Sequence, residues 1–234
     1  MDKVTRKELK TDRFALEVEH SVEYVSGHRK QIVQWGAIGV AAVLLIVGIV
    51  WYRNYQHQAR QDMLATALQT QNAQVGPSQN EYAITFPTQA EKDKTVGKAF
   101  SDIVAKYPGS DEAMIAEFYL GSQAANAGDL TQAQKRFQTV VDSGAKDYAS
   151  LAKLSLATIY QSQGKLPDAE KLIHSVMDNP TALVSKDQAT ISLAHLVAST
   201  DPQEARKLLE PLRASPRGAI SRAALTALSD LPQK

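Results

Sequence analysis

Residues 113–141, AMIAEFYLGSQAANAGDLTQAQKRFQTVV, contain two segments of helical periodicity separated by Gly128-Asp129. The first segment, Ala113–Ala127, and the second, Leu130–Val141, are each long enough for several helical turns. A glycine followed by a helix-capping aspartate is typical of the turn between two antiparallel helices. These residues therefore predict a helical hairpin.

The same pattern returns twice when the chain is shifted by 36 residues against itself. Small residues coincide at one position of the unit and larger apolar residues at two others: Ala133, Ala169 and Ala205; Phe137, Ile173 and Leu209; Val140, Val176 and Leu212. Small side chains let two helices approach closely, and the larger ones fill the space to the next unit. Because one unit cannot bury its apolar face alone, the repeat predicts a stack of hairpins.

The predicted repeat domain covers residues 53–234. It consists of an irregular unit at about 55–110, three units at 113–145, 148–181 and 187–216, and a capping helix at 217–230. Turn chemistry supports these boundaries, because Asp201 precedes Pro202 and Glu204 in the order expected at a helix start.

The irregular unit is expected to contain a helix at Tyr55–Ala73 and another at Gln89–Tyr107. Residues 74–88 between them contain Gly76-Pro77 and Pro87 and are predicted to form a loop. Apolar residues alternate at 82, 84 and 86 as in a short strand. No partner strand is visible in the sequence, so packing against the helices is the simpler interpretation.

From Ile32 to Tyr52 the chain carries no charged side chain over 21 residues. As a helix this segment would be roughly 30 Å long, which matches the hydrocarbon core of a bilayer. Trp35 and Trp51 lie near its two ends, where aromatic rings favour the membrane interface. We therefore predict a transmembrane helix at 32–52, acting as an uncleaved signal anchor.

Residues 1–31 form a tail that contains seven Lys and Arg residues, whereas only Arg53 and Arg60 follow the span closely. The positive-inside rule then places the tail in the cytoplasm and the repeat domain across the membrane. Four apolar residues of the tail would share one helix face and could dock a partner or the bilayer surface: Phe14, Val18, Val22 and Val25. A solvated tail is the simpler interpretation.

Composition excludes several functional classes. The 26 Lys and Arg residues are balanced by 25 Asp and Glu, which argues against broad nucleic-acid binding. Cysteine is absent, so disulfides, thiolate nucleophiles and Cys zinc sites are excluded. No two of the five histidines are three to five residues apart, and no nucleophile elbow, P-loop or dinucleotide fingerprint occurs. We expect no enzyme activity, no cofactor and no metal site.

Several repeat positions carry a family resemblance. Leu120-Gly121, Ala133 and Phe137 in one unit, and Leu156-Ala157 with Ala169 in the next, resemble the tetratricopeptide repeat. The units here are two residues longer than that family's 34-residue repeat. The resemblance implies an all-α fold in which one N-terminal transmembrane helix precedes a right-handed helical solenoid.

The layout of tail, single anchor and repeat domain resembles the ancillary SecYEG translocon subunit family of bacterial inner-membrane proteins. That resemblance implies a periplasmic repeat domain, with translocon subunits, a membrane-anchored chaperone and emerging unfolded polypeptides as partners. Two alternatives stay open. The same domain could serve another envelope machine, for division or outer-membrane assembly. A signalling receptor is the other alternative, although the tail contains no recognisable output domain.

The resemblance also implies a concave groove lined by the first helix of each unit. The matching positions combine apolar, hydroxyl and amide side chains: Phe118, Ser122 and Asn126; Leu154, Thr158, Gln161 and Ser162; Thr190. This lining has no Lys or Arg clamp for a carboxylate, so we expect degenerate recognition of polypeptide backbone and small apolar groups. In the alternative, Phe118 and Leu154 simply pack between units.

Overall fold

The computed structural model describes residues 29–77 and 84–232, except for the side chains of Arg29 and Ile32. This part of the chain contains nine α-helices, one short 3₁₀-helix and two short strands. The chain divides into two compact units, Met1–Gln58 and Ala59–Lys234. The predicted apolar stripe of the tail, from Phe14 to Val25, lies outside the described residues.

Helix α1 runs from Arg29 to Gln71 without interruption. It contains the predicted span and most of the helix predicted from Tyr55 onward. From Val33 it is long and apolar enough to cross a membrane, and none of its most apolar window is buried by the rest of the protein. Leu45 is 68% exposed and Trp51 70% exposed. Apolar side chains cover every side of this segment, as expected for a helix surrounded by lipid.

The prediction that residues 74–88 contain no paired strand is wrong. Strand β1 (Gln74–Val75) pairs in parallel with β2 (Thr85–Phe86), with Gln74 opposite Thr85 and Val75 opposite Phe86. The Gly76 amide donates to the Phe86 carbonyl at 2.9 Å, and Gly76 has a φ of +96°. The partner of β2 is only two residues long and therefore leaves no alternating pattern in the sequence.

The remaining helices follow one another as antiparallel neighbours, and the predicted all-α class is confirmed. Their bounds are α2 Gln89–Lys106, α3 Asp111–Asn126, α4 Leu130–Asp142, α5 Lys146–Ser162, α6 Leu166–Asp178, α7 Lys186–Val197, α8 Pro202–Leu209 and α9 Gly218–Asp230. The helix predicted to reach Leu212 instead ends at Leu209 and continues as the 3₁₀-helix Glu210–Ala214. Pro211 explains the change, because it has no N–H to donate and its ring clashes with the preceding turn.

Local signals in the sequence set most helix ends. Gly128 and Gly164 adopt φ values of +82° and +74° just after α3 and α5, a conformation that glycine accepts at little cost. The Asp129 carboxylate accepts from the Gln132 amide at 3.0 Å and so caps α4. At α7, Ser185 and Gln188 form a reciprocal capping box.

The core of the repeat domain lies between successive hairpins. Ala133, Ala169 and Ala205 are fully buried, at 0% exposure. Phe137 packs in one cluster with residues of α3 and α5, whereas Ile173 packs with residues of α5 and α7. The apolar residues of each hairpin therefore fill the gap to the next one, as the repeat pattern predicts.

The last turns of α1 belong to the same packing scheme. Leu64 and Ala67 share a buried cluster with residues of α2 and α3. Arg60 pairs with Glu112 at 3.1 Å, which provides a counter-charge for a carboxylate only 5% exposed. The Lys92 ammonium donates to the Ala73 carbonyl at 2.8 Å just beyond the helix. These contacts tie residues 59–73 to the first complete hairpin.

Candidate functional site

The first helices of the three hairpins, α3, α5 and α7, lie side by side, with α5 in contact with both others. A cavity of about 410 Å³ opens between α3 and α5, and another of about 310 Å³ opens between α5 and α7. Ser155 and Thr158 of α5 line both cavities. We call the surface formed by these two adjoining cavities the groove.

The α3–α5 cavity has an apolar floor and a polar rim. Its apolar lining is Ala125, Leu130, Phe137 and Ile159. Its polar lining is Ser122, Asn126, Ser155, Thr158 and Ser162. The arrangement suits a small apolar side chain below and a polypeptide backbone above.

The α5–α7 cavity is lined by the same kinds of group. Its apolar lining is Leu151, Leu154, Ala157, Ile173 and Leu196. Its polar lining is Ser155, Thr158, Gln161, Ser192 and His195. Gln161 and His195 are exposed at the rim, so they are available to a ligand.

Six of the eight residues assigned to the groove from the sequence line these cavities: Ser122, Asn126, Leu154, Thr158, Gln161 and Ser162. The structure brings them together on neighbouring helices. Phe118 and Thr190 line neither cavity. The half-buried Thr190 hydroxyl donates to the Lys186 carbonyl of its own helix at 2.9 Å.

Phe118 packs between hairpins instead. Its ring lies 5.6 Å from that of Phe137 and 5.5 Å from that of Tyr148, centroid to centroid. Tyr119 stacks on Phe100 at 4.9 Å. These rings fill the space beside the N-terminal half of α5, and the α3–α5 cavity is confined to the C-terminal halves of the two helices.

Tyr148 has a shifted pKa. Burial raises the pKa of its hydroxyl, and the neighbouring Tyr119 raises it further through its charge and a hydrogen bond. The two tyrosines therefore connect α3 to α5 through their side chains. Sequence reasoning missed this pair because neither residue occupies a matched repeat position. The aromatic residues at 118, 119 and 148 were the available signal.

The hydroxyl groups of the groove are all bonded to their own helices. Five hydroxyls line the two cavities, and each donates to a backbone carbonyl three or four residues earlier: Ser122 to Phe118, Ser155 to Leu151, Thr158 to Leu154, Ser162 to Ile159 and Ser192 to Gln188. Among residues 29–77 and 84–232, Asn126 and Gln161 have no side-chain partner. Their amides are free to bind a ligand.

Charge is excluded from the groove itself. Within the described part of the chain, no Asp, Glu, Lys or Arg lines either cavity. A third cavity of about 610 Å³ adjoins the groove at Ser122 and Asn126, and it does contain charged residues, Asp93, Asp129 and Arg136. Arg136 is paired there with Glu117 at 2.7 Å. The lining of the groove thus has no charged carboxylate, ammonium or guanidinium group among the described residues, and a cavity with charged residues adjoins it at Ser122 and Asn126.

No three His, Asp or Glu residues of the described ranges lie close enough together to hold a metal ion. The side chains that line the groove offer hydrogen bonding and apolar contact.

Comparison with known proteins gives one result. The family model of the tetratricopeptide repeat-like domain matches residues 31–207, from the start of the apolar segment into α8. No curated protein and no solved structure gives a significant match to the chain.

Proposed function

The chain belongs to the tetratricopeptide repeat-like domain family, and from that premise we propose that it is a membrane-anchored, non-catalytic scaffold that binds other proteins. We propose further that it serves the protein translocon as an accessory and that its repeat domain receives emerging polypeptides. The family's domains are typically interaction scaffolds. The finer assignment rests on the layout of a tail, one apolar helix and a repeat domain.

The observation that carries the proposal is the groove. It is open and neutral, and its hydroxyl and amide groups lie on α3, α5 and α7 beside apolar side chains. Such a lining can bind backbone groups of many sequences without selecting one side chain. A scaffold that meets unfolded chains needs this kind of tolerance.

In this proposal α1 crosses the inner membrane, with the N-terminus in the cytoplasm and the repeat domain in the periplasm. The excess of Lys and Arg before the span supports this orientation. Because the chain has no cysteine, single substitutions can be labelled without background. In spheroplasts, a membrane-impermeant maleimide should label Lys135→Cys, whereas Thr5→Cys should react only after lysis. The reverse pattern would overturn the orientation.

The scaffold itself is tested by gentle detergent extraction of the full-length protein and identification of the proteins that co-purify. A variant that ends at Gln58 serves as the control. Translocon subunits and a membrane-anchored chaperone, recovered only with the full chain, would support the accessory role. Recovery of division or outer-membrane assembly proteins instead would indicate that the scaffold serves that machine. If the two forms recover the same proteins, the repeat domain is not the binding part.

A further inference from the structure

A further cavity lies outside the groove, on another face of α5. It has a volume of about 400 Å³ and is bounded by the end of α4, the first two turns of α5 and the end of α6 with the loop that follows. None of its lining residues lines either cavity of the groove. A cavity of this size can hold a small ligand.

Two lysines of α5 line this cavity, Lys146 and Lys153. They lie on the same face of the helix, two turns or about 10 Å apart along its axis. Their flexible four-carbon stems let both ammonium groups approach one ligand. Within residues 29–77 and 84–232, neither lysine forms an ion pair, and no Asp, Glu or Arg lines the cavity. The lining therefore carries positive charge alone.

Three carboxylates lie close to the cavity in sequence but outside its lining. Asp147 accepts from the Ala182 amide at 3.2 Å, and Asp142 accepts from the Gln138 side-chain amide at 2.8 Å. Asp178 is exposed to solvent. The ends of α4 and α6 and the start of α5 add partial charges that sum to roughly half a negative charge. Two full positive charges outweigh this sum, so the cavity favours an anion.

The repeat itself does not require a cation at these positions. Lys153 matches Glu117 in the preceding unit and Ala189 in the following one. Glu117 is paired with Arg136 at 2.7 Å, and Ala189 is fully buried. Lys153 is half-buried beside the cavity instead. Its charge is thus not explained by packing between hairpins and can serve a ligand.

Hydrogen bonds hold the wall of the cavity in place. Ser150 is only 4% exposed, and its hydroxyl lies 2.8 Å from the Thr181 hydroxyl, which ties the loop after α6 to α5. The Asn179 side-chain amide donates to the Ser175 carbonyl at 3.1 Å. That bond uses one of the two amide protons and leaves the other for a ligand.

These groups favour a phosphate over a carboxylate. A phosphate monoester carries a charge of about −1.5 to −2 at neutral pH, which matches two ammonium groups, whereas one carboxylate balances a single ammonium. Lysine binds phosphate as a point charge, and planar carboxylates favour the fork of arginine. The rest of the lining includes apolar groups that can contact the carbon part of an ester: Val141, Ala149, Val176 and Pro180.

We propose that this cavity binds a phosphate monoester, with Lys146 and Lys153 as ligands of the phosphate and Asn179 as a hydrogen-bond donor. The carbon group of the ester contacts the apolar lining. This site goes beyond the proposed scaffold, since it requires neither the groove nor a partner protein. The monoester is either a free small molecule or the headgroup of a lipid, and the two sources are separated experimentally.

The probe is phenyl phosphate, titrated into the full-length protein in nanodiscs of phosphatidylcholine, whose own phosphate is a diester. Isothermal titration calorimetry should show saturable binding with a Kd of about 1 mM or below. Benzoate has the same ring with a single charge, and inorganic phosphate lacks the ring, so we expect each to bind at least about threefold more weakly. Absence of saturable binding, or equal binding of either analogue, would overturn the proposal.

Lysine variants test the site directly. Lys153→Gln should weaken binding of phenyl phosphate about 3- to 10-fold, and the more exposed Lys146→Gln about 2- to 5-fold. The variant with both changes should show no saturable binding. The matched control combines Lys135→Gln with Lys171→Gln, two exposed lysines at equivalent positions of α4 and α6 outside the cavity. Equal loss in the two double variants, or loss in neither, would contradict the proposal.

The source of the ligand is decided by adding phosphatidic acid, whose headgroup is a phosphate monoester, to the nanodiscs. Phosphatidylglycerol, an anionic diester, is the control. Weaker binding of phenyl phosphate with phosphatidic acid alone would identify a lipid headgroup as the ligand, and unchanged binding with both lipids would identify a free monoester. Equal weakening by the two lipids would contradict selection of a monoester. None of these results depends on the proteins that co-purify, so the site and the scaffold fail independently.

Discussion

The hairpins α3–α4 and α5–α6 occupy equivalent positions in the repeat, yet their two helices are packed against each other differently. At the first, Phe137 lies against Gly121, where an added Cβ would come within 2.9 Å of the Phe137 Cε1 atom. At the second, the corresponding pair is Ile173 and Ala157, which share one buried cluster. The larger Phe137 thus faces glycine, whereas the smaller Ile173 faces the larger alanine.

This difference shows that the repeat preserves the volume between the two helices of a hairpin rather than the identity of the residues. Interiors are packed at nearly constant density, so a change on one side requires a compensating change on the other. Between the first hairpin and α5 lie the aromatic rings of Phe118, Tyr119 and Tyr148, whereas the cluster between the second hairpin and α7 has Tyr160, partly buried, as its aromatic residue. The rings shorten the α3–α5 cavity, and Leu151 and Leu154 leave the α5–α7 cavity open toward the start of α5.

The largest expected effect comes from removing a large buried side chain from the core between helices. Phe137→Ala should lower the free energy of unfolding by about 3–5 kcal/mol, and Ile173→Ala by about 2–4 kcal/mol, since each removes a buried side chain and leaves a cavity. Urea denaturation of the full-length protein in micelles, followed by circular dichroism, measures both changes. A greater loss at Ile173 than at Phe137 would contradict the expectation that the larger buried side chain contributes more to stability.

The volume compensation between Gly121 and Phe137 should be visible in a double-mutant cycle. Gly121→Ala alone should cost about 1–3 kcal/mol, because the new methyl group meets the buried Phe137 ring, and this outweighs the gain of about 1 kcal/mol from better helix propensity. Adding Phe137→Ile recreates the pair found in the second hairpin, so Gly121→Ala should cost less in the Phe137→Ile background than in the unaltered protein.

The matched control for this cycle is Gly218→Ala in α9, where an added Cβ would meet nothing within 4 Å. We expect it to leave the urea midpoint unchanged or to raise it slightly. If Gly121→Ala behaves like Gly218→Ala, the close approach between Gly121 and Phe137 does not limit the packing.

The two cavities can be compared through their free amides. Asn126→Ala affects the α3–α5 cavity and Gln161→Ala the α5–α7 cavity, and each should weaken partner binding by about 0.5–1.5 kcal/mol if one ligand spans both. Titration of the purified variants with a co-purifying partner gives these values. If only one variant loses affinity, the ligand occupies only that cavity. If neither variant loses affinity, the groove is not the binding surface.

The smallest expected effect concerns the ionisation of Tyr148 beside Tyr119. Because the pKa of Tyr148 is raised in the folded protein, the unfolded chain releases this proton at lower pH than the folded one. Its contribution to stability is therefore complete below pH 10 and is lost as the pH rises through the folded pKa. Tyr148→Phe should remove one tyrosine from the upper limb of the ultraviolet titration curve. An unchanged upper limb of that curve would contradict the assigned environment.

Much of the fold follows from local signals. The helices were predictable because apolar periodicity, Gly128, Gly164 and the capping residues all indicate the same boundaries. The β1–β2 pair was missed because two-residue strands have no periodic signature. The early end of α8 departs from the repeat pattern because Pro211 cannot donate the next helical hydrogen bond.

The groove was predictable only in part. The resemblance to the tetratricopeptide repeat assigned eight residues to a groove, and six of them line cavities. Whether Phe118 points into a groove or packs between hairpins depends on the space beside Phe137 and Tyr148. That space is set by side-chain packing, which the sequence does not specify. Ser155, Ser192 and His195 were missed for the same reason.

Thr158→Tyr tests most directly whether the groove is the surface that binds other proteins. Thr158 is exposed and lines both cavities, so a bulky side chain there should obstruct both without disturbing the core. Thr139→Tyr, at an exposed position of α4, is the control. We expect Thr158→Tyr to lose the proteins that co-purify with the unaltered chain while its urea midpoint is unchanged and while Thr139→Tyr retains them. Full retention of those proteins by Thr158→Tyr would show that the protein binds its partners elsewhere.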